Sequence, residues 1–234
     1  MDTAASAEVR FQRASDQSLL VYFGEKITLD AHKRIRKMLR LLELEPVAGV
    51  RNLHPAYCSL LAKFDALKLR HAELEAILRK YLERLEEVTL PEPRIQEIPV
   101  CYGGEYGPDL ENVCAIHGIT PARAIELHCS KPYLVYFLGF VPGFPYLHGL
   151  PKELRTPRLG TPRRSVPAGS VGIAGSQTGV YPFATPGGWR LLGRTPMKLF
   201  RTDRDWLSLL SIGDWVRFQP IPVGRFVELE QAWK

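Results

Sequence analysis

An α+β fold in two parts is what the sequence predicts, and three observations carry that reading. Over the first ~88 residues, two stretches with apolar residues at helical spacing alternate with short β-prone runs. From Ile98 onward, short apolar runs are broken by Gly and Pro, the pattern of a closed or sandwiched β fold. Between them TLPEPRIQE (89–97) combines two prolines with acidic residues and reads as a connector. The expected organisation is an N-terminal α+β domain over 1–88, a linker over 89–97 and a β domain over 98–234.

In chain order, Val9–Arg13 is a weak strand and Ser18–Phe23 (SLLVYF) a stronger one. Asp30 stands where an N-cap is expected, and Ile35, Met38, Leu39 and Leu42 then repeat at helical spacing until Pro46. Val50–Leu53 and Cys58–Phe64 read as strands. Leu74, Ile77, Leu78, Tyr81, Leu82 and Leu85 form the apolar stripe of a second helix. The order β-β-α-β-β-α points to a two-layer α/β sandwich. In the second part Ile98–Tyr102 is β-prone, and Pro108-Asp109 opens a helix over Leu110–His117 that Gly118 closes. Thr120-Pro121 pairs an N-cap with Pro at the first helical position, starting a helix to about Cys129. Tyr133–Phe140 reads as a buried strand, and Val171–Ala174, Arg190–Gly193, Met197–Arg201 and Trp215–Gln219 as shorter ones.

Composition narrows the function classes. The N-terminal stretch MDTAASAEVRFQRASDQ has no signal-peptide core, and no apolar run approaches the length of a membrane span, so a cytoplasmic protein without membrane contact is expected. Four scattered cysteines without a CxxC pair favour reduced thiols. The net charge of +6 is concentrated: from Leu154 to Thr202 there is no Asp or Glu, while Arg155, Arg158, Arg163, Arg164, Arg190, Arg194, Lys198 and Arg201 all fall there. Such a field attracts anions. The arginines are spaced by turns rather than along a helix, and no nucleic-acid-binding motif is present, which argues against nucleic acid.

The segment Gly139–Pro196 concentrates glycine, proline and aromatic residues. It holds 11 of 19 Gly and 9 of 19 Pro, together with Phe140, Phe144, Tyr146, Tyr181, Phe183 and Trp189. A flexible linker would lack the aromatics, so this is an ordered, turn-rich surface of the kind that carries binding sites. Self-contained catalytic sets are missing. GIAGSQTG (172–179) lacks the Gly-Lys-Ser/Thr ending of a P-loop, and neither GxSxG nor HExxH occurs. No metal site and no acid/base carboxylate pair is recognisable.

GFVPGFPYL (139–147), residues 157–196 and IPVCYGGEYGPDL (98–110) resemble the allophanate hydrolase subunit 1/KipI family, as do HPAYCSLLAKFD (54–65) and LLSIGDWVRF (209–218). The resemblance spans nearly the whole chain. It departs at His32-Lys33, where family members often carry Asn before the Arg-Val/Ile pair. It implies a small α+β domain followed by a cyclophilin-like β-barrel domain. Most members are regarded as the B-type subunit of the bacterial ATP-dependent 5-oxoprolinase, which converts 5-oxoproline to glutamate. That implies a homologous C-type partner, an A-type partner, and ATP, with or without Mg, at the level of the complex. No biotin is implied in this chain, a homo-oligomer is an option for the chain alone, and so is inactivity without partners. A KipI-like inhibitor of a sporulation histidine kinase and half of a urea carboxylase-type carboxyltransferase are the alternatives.

The matching positions define the candidate site. Phe140, Pro142, Gly143, Phe144 and Tyr146 form either a ligand loop or a tight turn packed on the barrel. Arg158 and Arg163 offer anion-binding forks or salt bridges at a partner interface. Pro167, Gly169, Ser170 and Gln177 provide neutral hydrogen-bonding groups for an amide or lactam, or simply close a turn. Tyr181, Pro186, Gly187, Gly188 and Trp189 supply a flat face or core packing. His128 and Arg163 are the candidates for direct chemistry, His128 because it is the best placed titratable histidine.

Overall fold

A computed structural model of the chain describes residues 8–233. Residues 1–7, part of the stretch read as having no signal-peptide core, lie outside the described residues. The chain divides into two compact units, Met1–Glu92 and Pro93–Lys234.

The first unit contains β1 (Arg10–Ser15), β2 (Ser18–Tyr22), α1 (Leu29–Leu44), β3 (Val50–Pro55), β4 (Ser59–Phe64) and α2 (His71–Glu83), in the predicted β-β-α-β-β-α order. Its strands form an antiparallel sheet in the order β1-β2-β4-β3. Alternation fixes which face is buried: Leu19 and Val21 of β2 and Leu60, Ala62 and Phe64 of β4 are almost wholly covered. Ile35 and Met38 of α1 and Leu74 and Leu78 of α2 are likewise inaccessible. Each such aliphatic chain contributes ~1.5–3 kcal/mol on burial. The N-cap of α1 is Thr28 rather than Asp30. Thr28 is extended, so its Oγ1 accepts from Ala31 N at 3.1 Å, whereas Asp30 already lies in the first turn.

The second unit opens with β5 (Ile95–Tyr102), followed by α3 (Leu110–His117), α4 (Pro121–Cys129), β6 (Tyr133–Leu138), β7 (Pro145–His148), β8 (Arg163–Val166), β9 (Ser170–Ala174), β10 (Gln177–Val180), β11 (Thr185–Gly187), β12 (Arg190–Arg194), β13 (Trp215–Pro220) and α5 (Val223–Ala232). Seven strands close a barrel in the order β10-β7-β6-β13-β5-β12-β9, while β8 and β11 pair separately. The β5–β13 ladder is parallel, from Trp215↔Ile95 to Pro220↔Val100. That pairing recruits Ile95–Glu97 into the barrel, so β5 begins inside the segment predicted as linker. Met197–Arg201 is a loop and not a strand. Arg201 N donates to Leu207 O, Leu209 N to Leu199 O, and only an isolated bridge joins Phe200 to Ser208.

The helix termini follow their sequence signals. Thr120 Oγ1 accepts from Arg123 N at 3.2 Å with Pro121 in the first turn, and Gly118 closes α3 with φ 62°. Helix α5 was not predicted. Phe226, its one buried residue, packs on Tyr106 at a ring distance of 4.6 Å, and the Arg194 guanidinium lies over both rings. The four cysteines are free thiols. Among the described residues no helix is long and apolar enough to cross a membrane.

Candidate functional site

The loop between β6 and β7 is held by a backbone bond from Gly139 N to Phe144 O and by one from Phe144 N to Val141 O, both at 3.1 Å. At its tip Phe140 adopts φ 65°, the single non-glycine residue with positive φ among the described residues. Its ring is 60% exposed. A phenylalanine held in left-handed backbone and turned to solvent combines two costs that folding alone does not favour. Gly143 has φ 78°, and a Cβ there would sit 2.9 Å from Phe200 Cβ, so this glycine sets how closely the loop approaches Phe200. Pro142 is exposed beside it.

Beneath Phe140 the motif aromatics pack on one another. Phe144 meets Tyr146, Tyr181 and Trp189 edge-to-face at 5.1, 5.2 and 5.4 Å. Together with Val166, Ala174 and Leu191 they form a core separate from the barrel interior. Trp189 is 5% exposed, which fits core packing and leaves no flat face for a ligand. Burial raises the Tyr146 and Tyr181 hydroxyls above their usual range, and the charge of Arg158 pulls both back. Arg158 is exposed, and among the described residues it has no ion-pair or hydrogen-bond partner.

Arg163 has a different environment. Its Nη2 lies 2.6 Å from Asp109 Oδ1 and its Nη1 reaches Trp189 O at 3.4 Å. The second Asp109 oxygen accepts from Leu191 N at 2.7 Å. Asp109 is the N-cap residue of α3 but makes no side-chain cap bond, because its carboxylate ties β8 to β12 instead. Arg163 is therefore an internal clamp.

The Pro167–Ser170 turn is closed by Ser170 N to Pro167 O at 3.2 Å and Gly169 N to Tyr181 O at 2.7 Å. A Cβ on Gly169 would meet Thr195 O at 2.2 Å, so only glycine fits. Ser170 is 1% exposed, Pro167 is exposed, and Gln177 is half-buried opposite His148 on β7. Gly187 lies against the Tyr181 hydroxyl, Gly188 O accepts from Leu159 N at 2.8 Å, and Pro186 is exposed on β11.

His128 lies inside the barrel, wholly buried, stacked on Phe218 at 4.6 Å. Its Nδ1 is 2.7 Å from the Tyr102 hydroxyl and its Nε2 is 3.0 Å from Thr178 Oγ1. Thr178 donates its proton to Gly172 O, so His128 Nε2 is the donor to Thr178 and Nδ1 accepts from Tyr102. The Tyr102 oxygen, 3.4 Å from Cys129 Sγ, then accepts the thiol proton. Burial pushes the imidazole down to about 3. A neutral ring with both nitrogens engaged has no position open to an outside molecule, and no residue pattern signals that α4 turns this histidine inward.

A groove of about 290 Å³ adjoins the Phe140 loop, lined by Phe183, Lys198, Phe200, Arg201, Thr202 and Asp203. Phe183 and Phe200 meet edge-to-face at 5.3 Å. Sequence reasoning did not assign this groove, although Phe183 belongs to the aromatic set and Lys198 and Arg201 to the acid-free stretch. Among the described residues no group of three His, Cys, Asp or Glu is placed to hold a metal ion. The exposed parts of this face suit an anionic or flat molecule, and none of the placed candidates forms a nucleophile–base couple.

A seven-stranded barrel bearing this Gly/Pro-rich face is a carboxyltransferase-like fold, and residues 9–210 match the family model described as carboxyltransferase domain, subdomain C and D. The chain belongs to that family. A relative from Bacillus subtilis (strain 168), named as the B-type subunit of 5-oxoprolinase, is 43% identical over 90% of this chain and 92% of its own length. A second of that name, from Escherichia coli O157:H7, is 47% identical over 83% of this chain and 88% of its own. The solved structure of the protein TTHA0988 superposes with a TM-score of 0.78 at 35% identity. It covers 88% of this chain, which spans only 40% of that longer one.

Proposed function

We propose that this chain is the B-type subunit of an ATP-dependent 5-oxoprolinase, which opens the lactam of 5-oxoproline to glutamate. The observation that carries the reading is near-full-length identity of 43% and 47% to proteins named for that subunit. The missing nucleophile–base couple supports a shared site, as does the longer relative in which this region is 40% of the chain. A C-type and an A-type subunit complete the enzyme, and ATP, with or without Mg, acts at the level of the complex. Lactam activation by ATP moves a phosphoryl group from ATP to the lactam oxygen with ADP leaving, and a cationic surface stabilises the negative charge on that group. Phe140, Arg158 and Gln177 are the surface groups of this chain offered to the site, in a cytoplasmic enzyme.

The test combines the purified chain with C- and A-type partners, ATP and 5-oxoproline, and measures glutamate. Production that needs all three polypeptides is the expected result. No glutamate from the complete mixture would refute the assignment.

A further inference from the structure

The groove beside the Phe140 loop contains an arginine that is built to hold a carboxylate and already holds one. Arg201 Nε and Nη2 meet Asp203 Oδ1 and Oδ2 at 2.8 and 2.5 Å, the two-pronged geometry in which guanidinium binds carboxylate most strongly. The two partners differ in how firmly they are placed. The Arg201 side chain is 11% exposed, while that of Asp203 is 62% exposed. Arg201 is fixed through its backbone bond to Leu207 O, and neighbouring Phe200 bridges to Ser208 and packs on Gly143. Asp203 instead sits in an exposed turn with Thr202, Arg204 and Asp205. It is also the first acidic residue after the acid-free stretch that ends at Thr202.

Two phenyl rings flank this fork. Phe183 and Phe200, in edge contact, form one wall of the 290 Å³ space, and Thr202 adds a hydroxyl. A groove of that size lies at the small end of ligand pockets, with room for a single ring and a short substituent. Apolar walls beside one guanidinium fork suit a small ring acid.

We propose that this groove is a subsite for a small ring carboxylate, in which Arg201 binds the ligand's carboxylate and Asp203 is the internal competitor that the ligand displaces. The proposal rests on the reading of the chain as a 5-oxoprolinase subunit only for its probe, since 5-oxoproline is such an acid. Both carboxylates use the same two guanidinium donors, so only one can be bound at a time. Removing the charge of Asp203 therefore strengthens ligand binding, and removing the fork of Arg201 weakens it.

The experiment measures the KM for 5-oxoproline in the assembled three-subunit enzyme with Asp203→Asn, Arg201→Lys and the unaltered chain. It also measures calorimetric titration of 5-oxoproline into each assembly without ATP. Asp203→Asn alters an exposed residue and should lower both KM and Kd about three- to tenfold. Arg201→Lys keeps the charge but loses the fork, and should raise both by about tenfold. Unchanged or weakened binding in Asp203→Asn, in an assembly that still makes glutamate, overturns the subsite while leaving the enzyme assignment intact. A complete mixture that makes no glutamate from the unaltered chain counts against the assignment, and the ATP-free titrations then decide the subsite by themselves.

Discussion

The Tyr102 hydroxyl lies 2.7 Å from His128 Nδ1, and the direction of that bond is fixed by the rest of the network. Thr178 uses its proton on Gly172 O, so His128 donates through Nε2 and must accept at Nδ1. Tyr133 adds a bond from its hydroxyl to His128 O at 2.7 Å. Four side chains from β5, α4, β6 and β10 are thereby linked inside the barrel, where an unmade bond is costly.

This arrangement predicts acid sensitivity of a stated sign. The folded imidazole titrates at about 3 and an unfolded one near 6.5, so between those values the unfolded state binds the extra proton. Stability should be flat above pH 6.5 and fall as pH drops below it. This one group contributes up to about 5 kcal/mol of loss at the acid end. NMR of the His128 ring protons checks the assignment directly: a midpoint near 6.5 in the folded protein would refute it. Tyr102→Phe leaves Nδ1 buried without a donor and should lower stability by about 1–3 kcal/mol at neutral pH.

Arg163 and Arg158 should separate in their effects. Arg163→Ala strips the Asp109 carboxylate of its cation at a side chain only 11% exposed, and should cost about 2–4 kcal/mol of unfolding free energy by denaturant titration. Arg158→Ala touches no such pair and should leave the denaturation midpoint in place while slowing glutamate formation in the complete mixture. A stable Arg163→Ala protein would contradict the clamp.

Phe140 offers a test of strain against function. Replacement by Gly relieves the left-handed backbone, a gain of about 1 kcal/mol, and gives up a half-exposed ring contact. The melting temperature should stay within a few degrees. If the exposed ring serves the complex, turnover should fall at least tenfold. Full turnover in Phe140→Gly would show that the ring serves nothing outside the chain.

Gly143→Ala should report on the loop itself. The added methyl meets Phe200 Cβ at 2.9 Å on backbone with φ 78°, so a loss of about 1–3 kcal/mol is expected. Phe200 must move to admit it, and 5-oxoproline should bind more weakly in the same variant.

Much of the fold was legible because local chemistry dictates it. The Thr120-Pro121 start of α4, the Gly118 stop of α3 and the alternation of β2 and β4 all follow from the residues themselves. The strands β7, β8, β10 and β11 were missed because they are only three or four residues long, too short to show an alternating pattern, so pairing partners rather than propensity make them strands. Helix α5 carries a readable signal, Val223, Phe226 and Val227 at helical spacing. The candidate residues were legible as a set of motif positions, but their individual environments were not. Nothing in PRRSVP announces that Arg163 turns inward to Asp109, a residue 54 positions earlier, while Arg158 turns out. Trp189 and Phe144 read alike as motif aromatics with Phe140, yet both are buried while Phe140, in left-handed backbone, is exposed.

The parallel β5–β13 ladder sets the order of events when the chain is made. β13 stands between β5 and β6, so the barrel has two raw edges until residues 215–220 are available. Its contacts span roughly 120 positions, the kind of distant pairing that slows folding. Throughout that interval β5 and β6 offer unpaired backbone and apolar side chains to any other strand nearby. Slow emergence of the last strand makes this half of the molecule the one most exposed to mispairing during synthesis, and the one for which chaperone capture should matter.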